Sequence, residues 1–227
     1  MTPSSRLPTF LRSLRSHYGK IAPPPATNAF QLVAWEKVAY LATDERRGAA
    51  FRRLAHDVGL TPRDVLAAKR AVLIDALASG GINAVERANN LIEAAQMAVG
   101  EFGGSLDAAC ALPLPEAKRA LKRIRGIGDP GAEKILLLTR SHAVLGVDSN
   151  GLRVLTRLGY GTAAKSYSAT YKSATSAALA ELGSDIDVIT DAHLLLRHHG
   201  QILCKTSSPR CGACVIRTHC PSALSTS

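Results

Sequence analysis

Apolar residues along this chain recur at helical spacing, and no stretch alternates with period two for long enough to make a sheet. Phe10, Leu11 and Leu14 form one apolar stripe between Pro8 and Tyr18, which predicts a first helix with a basic opposite face. The run Pro23-Pro24-Pro25 then breaks the chain. Beyond Asn28 almost everything reads as helix. Thr61-Pro62-Arg63-Asp64 has the form of a helix start: a capping threonine, a proline in the first turn, and an acid three residues after the cap. Gly59, Gly80-Gly81 and Gly103-Gly104 read as helix stops, and Pro113 and Pro115 interrupt another pair. The pattern predicts an all-α protein built of short helices, about 10–16 residues each, joined by tight turns.

With 227 residues, 46% of them apolar, the chain can bury one sizeable core or two smaller lobes. No apolar run approaches the ~18–20 residues that span a bilayer, so no membrane is expected as partner. Charge changes the picture: 28 Lys+Arg against 18 Asp+Glu leave a net +10, a surface that attracts polyanions and nucleic acid foremost. The first 35 residues carry Arg6, Arg12, Arg15 and Lys20 and no acid. That composition suits an organelle transit peptide or a basic-faced helix, and the apolar stripe favours the helix. A secretory signal's apolar core is missing, so export is not expected.

Four of the five cysteines fall as Cys204-x6-Cys211-x2-Cys214-x5-Cys220, with Pro209 and Gly212 supplying bends and Pro221 closing the loop. Disulfides are disfavoured in a chain with no sign of export. Structural zinc prefers two Cys-x2-Cys pairs, and only one is present. A [4Fe–4S] cluster tolerates irregular spacing because its irons sit at the corners of a larger object, and it is the expected cofactor, with zinc as the alternative. Lys205, Arg210, Arg217 and His219 in the same loop suit a grip on a phosphate backbone or a plainly solvated loop. Cys110, alone on an apolar helix, reads as packing.

The segment Leu121–Ile135, LKRIRGIGDPGAEKI, predicts two helices joined by a tight turn at Gly126-Ile127-Gly128. Asp129 suits the N-cap of the second helix and Pro130 its first position. Gly126 and Gly128 would leave backbone N–H groups free beside a helix N-terminus, where a phosphate oxygen docks. About twenty residues on comes Gly146-Val-Asp-Ser-Asn-Gly-Leu-Arg-Val, in which Asp148 is placed to cap a helix starting near Ser149.

Taken together, the glycine turn, Val147-Asp148, His199-Gly200 ahead of Cys204, and the cysteine spacing resemble the helix-hairpin-helix glycosylases of the endonuclease III and MutY group. The stretch from Asn28-Ala-Phe-Gln to Ala42-Thr43-Asp44 resembles that family's first barrel helix without a gap. The resemblance implies a two-lobed fold. A six-helix barrel would span 26–134 with most of the hairpin 121–135, and a cluster lobe would combine 1–25 with 135–227 around the loop 204–220. It also implies a monomer acting on double-stranded DNA that holds a damaged base, with the nucleotide rotated out of the helix. Such an enzyme would be cytoplasmic and nucleoid-associated in a bacterium, or organellar or nuclear in a eukaryote.

By the same resemblance Asp148 is the catalytic carboxylate, which stabilises positive charge building on the sugar or orients water. Bifunctional members place a lysine where this chain has Pro130. Lys134 lies one turn further along, suited to a phosphate contact and conceivable as a shifted nucleophile. Leu41 stands where endonuclease III members carry a gap-filling glutamine, and would act as an apolar wedge. Tyr40 beside it is placed to stack on a base. Trp35, Glu36 and Lys37 fall where the family is apolar, which leaves two readings: they line a base pocket, or they face solvent. Asn150 replaces a histidine common in the family, so the polar lining near Asp148 differs. Only seven residues follow Cys220, which counts against MutY's extra domain and its oxidised-guanine pairs. The expectation is a monofunctional glycosylase for a deaminated base, uracil first. The alternatives are a bifunctional glycosylase/AP lyase using Lys134, or a non-catalytic damage-binding protein.

Overall fold

The structure, a computed structural model, describes residues 6–162 and 164–224. Among these there is no strand, only an isolated bridge between Tyr40 and Gly81. The all-α expectation holds. In chain order the helices are α1 (Leu7–Tyr18), α2 (Ala29–Lys37), α3 (Asp44–Asp57), α4 (Pro62–Ala67), α5 (Arg70–Ala78), α6 (Ala84–Glu101) and α7 (Asp107–Cys110), followed by α8 (Leu114–Lys122), α9 (Asp129–Leu138), α10 (Ser149–Arg157), α11 (Tyr167–Leu182), α12 (Ile186–Ile202) and α13 (Pro221–Leu224). The chain divides into two compact units, one of Pro24–Ser141 and one of Met1–Pro23 with His142–Ser227.

In the Pro24–Ser141 unit, α2 lies against α3, α6, α7 and α9. Its start is fixed by Asn28, whose side chain accepts from the Gln31 N–H, and by Asp107, which accepts from the Ala29 N–H at 2.8 Å. The Thr61 start forms as expected, as a reciprocal capping box with Asp64. Arg87 of α6 is a buried cation whose donors all meet carbonyls: Ile82 at 2.9 Å, Val38 at 2.6 Å, Leu77 at 2.9 Å and Gly81 at 3.1 Å. It thereby ties the end of α2 to the turn between α5 and α6. Gly80 permits that approach, since a Cβ there would stand 1.7 Å from the Val38 oxygen.

The α8–α9 connection corrects one detail. The N-cap of α9 is Gly128, in extended conformation, so the helix begins at Asp129 and Pro130 sits one residue deeper than expected. Asp129 makes no cap bond because its carboxylate is drawn back to α8, with Lys122 at 2.9 Å and Lys118 at 3.6 Å.

In the other unit, α1 buries Leu7, Phe10, Leu11 and Leu14 against α11 and α12. Its first N–H donates to Glu181 at 2.8 Å, and Arg15 pairs with Asp191. The amphipathic α10 packs on α12 and α11. Gly200 lets α10 and α12 meet closely, since a Cβ there would lie 2.6 Å from the Asn150 oxygen. After α12 the chain forms the cysteine loop, with short 3₁₀ turns at Cys211–Ala213 and Arg217–His219, and ends in α13.

Candidate functional site

Cys204, Cys211, Cys214 and Cys220 line one cavity of about 190 Å³, walled by Val154, Leu158, Leu203 and Ile216. Among the described residues, no three His, Cys, Asp or Glu side chains converge tightly enough to hold a single metal ion. Four thiols lining one largely apolar chamber are a donor set that fits a [4Fe–4S] cluster. Two donors already face the sulfurs. Arg157 Nη1 lies 3.3 Å from the Cys204 Sγ, and the His199 Nε2 lies 3.6 Å from the Cys214 Sγ. The His199 ring is buried and its Nδ1 meets the Tyr18 hydroxyl at 2.9 Å, a bond from α1 to the cysteine chamber. Around the rim, Lys205, Arg210, Arg217 and His219 are all exposed.

Asp148 caps α10, as its position in the sequence suggested. One carboxylate oxygen accepts the Asn150 and Gly151 N–H groups, both at 2.9 Å. The other accepts from the Asn150 amide at 3.2 Å and faces Arg197 Nε at 3.2 Å. These donors fix the plane of a carboxylate whose side chain keeps 21% of its surface open. Asn150 also links this site to the cysteine loop. Its amide oxygen accepts from Arg153 at 2.8 Å, and Arg153 further donates to the Gly200 and Cys204 carbonyls, each at 2.8 Å. Arg157 adds bonds to the Lys205 and Thr206 carbonyls.

The Pro24–Ser141 unit carries the other sequence-derived site residues. Gly126 and Gly128 are exposed in the α8–α9 turn, and Gly126 needs its glycine, with φ +74°. Glu36, Lys37, Tyr40 and Gly126 line one cavity of about 270 Å³ with Asn90 and Arg87. Lys37 does not face solvent: it is 5% exposed and donates to the Arg125 carbonyl at 2.5 Å. Burial pushes its pKa down to about 8. Lys134 is not a free surface cation, since it pairs with Glu36 at 2.7 Å. Leu41 is 77% exposed and held at φ +52°, a left-handed backbone that leucine rarely adopts. Tyr40 beside it is 53% exposed. Cys110 is buried and its thiol is pushed up to about 12 by that burial, in keeping with a packing role.

Arg153, Arg197 and Asn90 escaped sequence reasoning. Arg153 follows Asp148 at a fixed offset on the same helix, a signal available in hindsight. Arg197 and Asn90 reach their sites only through tertiary packing.

No protein-family model matches the chain. Its sequence is similar to the endonuclease III of Sulfolobus acidocaldarius, at 29% identity over 195 residues, 85% of this chain and 82% of that one. It is 23% identical over 194 residues to the endonuclease III of Thermotoga maritima, covering 86% and 83%. In fold it matches an endonuclease III trapped in a covalent intermediate with DNA, with a TM-score of 0.79, 19% identity, and coverage of 100% and 99%. The chain therefore has the endonuclease III-like helix-hairpin-helix fold and is similar in sequence to endonuclease III over most of its length. A thermostable thymine-DNA glycosylase shares this endonuclease III-like fold at a TM-score of 0.78 and 16% identity, with 97% of each chain covered. Within the endonuclease III-like scaffold, then, this chain presents a proline at position 130 and a lysine at 134 that is held by a carboxylate. No helix among the described residues is long and apolar enough to cross a membrane.

Proposed function

We propose that the protein is a monofunctional DNA glycosylase that hydrolyses the N-glycosidic bond of a deaminated base, uracil first, in double-stranded DNA. The observation that carries this reading is the Asp148 carboxylate, fixed by the α10 N-terminus and Arg197 yet open to solvent. As the glycosidic bond lengthens, positive charge grows on the sugar, and a pre-oriented carboxylate stabilises it and aligns the attacking water. Mispaired deamination products rotate out at low cost and leave as stabilised anions. Strand cleavage by elimination needs an amine that attacks the sugar. Pro130 has none, and the Lys134 amine is engaged by Glu36. Gly126 and Gly128 offer backbone N–H groups to a phosphate, Lys134 contacts the DNA backbone by exchanging its Glu36 partner for a phosphate oxygen, and the Arg210 rim adds charge near the cysteine loop. Leu41 acts as the apolar wedge and Tyr40 as a stacking face. Tyr40 and Glu36 border the base pocket, and Asn150 replaces a more basic side chain beside Asp148. Cys204, Cys211, Cys214 and Cys220 hold the [4Fe–4S] cluster, which, when bound, staples the loop. The protein acts as a monomer in the compartment that holds DNA.

The test is a labelled duplex with one uracil opposite guanine, incubated with protein and split before electrophoresis. Product that appears only after hot alkali is the expected result. A nick in the untreated half refutes the monofunctional assignment, and no product from any lesion duplex refutes the glycosylase reading.

A further inference from the structure

The cavity between α2, α6 and the α8–α9 turn has a polar lining that packing does not explain. Arg87 in its wall is already spent on five carbonyls, and Glu36 is engaged by Lys134. Asn90 differs. It is 7% exposed, and its amide oxygen is buried without any hydrogen-bond partner. An orphaned buried acceptor costs free energy, and a turn of the amide that brings the oxygen to the side now held by the nitrogen would let a ligand's donor meet it. Lys37, 5% exposed, gives one hydrogen bond to the Arg125 carbonyl and has three to give. The missing side chain at Gly126 opens both groups onto one space: a Cβ there would lie 2.8 Å from Lys37 Nζ and 4.0 Å from the Asn90 amide nitrogen.

Charge narrows the occupant. Glu36 and Glu86 line the cavity together with Lys37 and Arg87, so neither a phosphate nor a metal cation is favoured. A neutral planar ring is, and at about 270 Å³ the space sits at the small end of ligand pockets. We propose that this cavity takes the extruded base, with Lys37 Nζ donating to a ring carbonyl oxygen and the Asn90 amide oxygen accepting the neighbouring ring N–H. The Asn90 amide turns about its last torsion to do so and gives up no bond at its oxygen.

This inference rests on the glycosylase reading and deepens it. A carbonyl beside an N–H is the edge of uracil, thymine, hypoxanthine and guanine, the last of which adds an exocyclic amino group that enlarges it. Adenine and cytosine present an amino group beside a ring nitrogen, so their amino donor would meet the Lys37 donor. Methylated adenines lack the carbonyl altogether. The ammonium also stands where charge accumulates as a uracil anion departs, which adds rate as well as selection. Sites built to hydrogen-bond a substrate reject analogues that leave their buried groups unpaired.

The test compares wild type with Lys37→Met and Asn90→Leu, each first checked for helical content and for affinity to a duplex carrying an abasic-site analogue. Two readouts are taken: binding of free uracil and free adenine, and single-turnover release of uracil, hypoxanthine and 3-methyladenine from duplexes. Wild type is expected to bind uracil over adenine and to release the two carbonyl bases faster than 3-methyladenine. Each variant should weaken uracil binding about 10–100-fold and shrink the uracil-to-methyladenine ratio by the same order. Equal slowing of all three lesions in the variants, or a wild-type preference for 3-methyladenine, overturns the proposal. If wild type releases no base, the glycosylase reading fails. In that case uracil binding that depends on Lys37 and Asn90 still supports the pocket, and its absence overturns both. Should Lys37→Met not fold, Asn90→Leu carries the test alone.

Discussion

Replacing Arg153 of α10 with leucine keeps an aliphatic side chain and removes one guanidinium that three close acceptors share. Those acceptors are the carbonyls of Cys204 and Gly200 and the amide oxygen of Asn150, each at 2.8 Å. Hydrogen bonds to a charged group contribute about 1.5–3 kcal/mol apiece, but Arg153 is only half-buried and water can replace part of what is lost. A net cost of about 3 kcal/mol is expected. For a chain of this length about 1 kcal/mol moves the melting temperature by roughly 2–4 °C, so the variant should melt about 6–12 °C lower. The loss should not be confined to stability. Arg153 holds the backbone of the first loop cysteine at one end and the residue that steadies Asp148 at the other. Iron should therefore leave to a chelator faster than from wild type, and uracil release should fall even at temperatures where the variant is folded. Arg153→Lys should resemble the leucine variant, because a point ammonium cannot span three divergent acceptors. Calorimetry, a chromogenic iron chelator and single-turnover rates read the three effects. A leucine variant that melts within 2 °C of wild type, with the same iron loss and the same rate, refutes the reasoning.

Asp148→Asn keeps a good capping side chain, so the fold should lose no more than about 1 kcal/mol while base release drops about 10²–10³-fold; alkali-split gels and thermal melts read the two apart. Lys37 is lowered by burial from 10.5 to about 8, so between those values the unfolded chain holds a proton that the folded chain does not. Its contribution makes stability rise from pH 8 towards 10.5, by about 3 kcal/mol, and denaturant melts of Lys37→Met should lack that rise. Gly126→Ala places a methyl group against Lys37 Nζ in a left-handed backbone, and should cost about 1–3 kcal/mol and weaken duplex binding, both measurable by denaturant melts and fluorescence anisotropy.

Features that depend on a few neighbouring residues were legible in the sequence. The Thr61–Asp64 box, the Asp148 cap and the glycine turn of the hairpin all lie within five residues of their partners, and short-range rules describe them well. The cysteine chamber was legible for the same reason, since its loop is local. Where a cap had competitors the reading slipped by one residue: Asp129 was drawn to lysines of the preceding helix, which no local rule contains. The depth of Lys37 and the orphaned oxygen of Asn90 were out of reach, because they depend on how α2 and α6 pack. Lys37 still left a trace, as a charge on a helix that otherwise reads as core. Arg197 left none, since it meets Asp148 from a helix 49 residues away and is one of many arginines.

Arg87 has a consequence for how this protein can change. By donating to carbonyls at the ends of α2 and of α5, it fastens the backbone just ahead of Tyr40 and Leu41. Those two side chains project outward and contribute little to the interior. The side chains at 40 and 41 can therefore be exchanged, in the laboratory or over generations, while the buried fastening beneath them stays as it is.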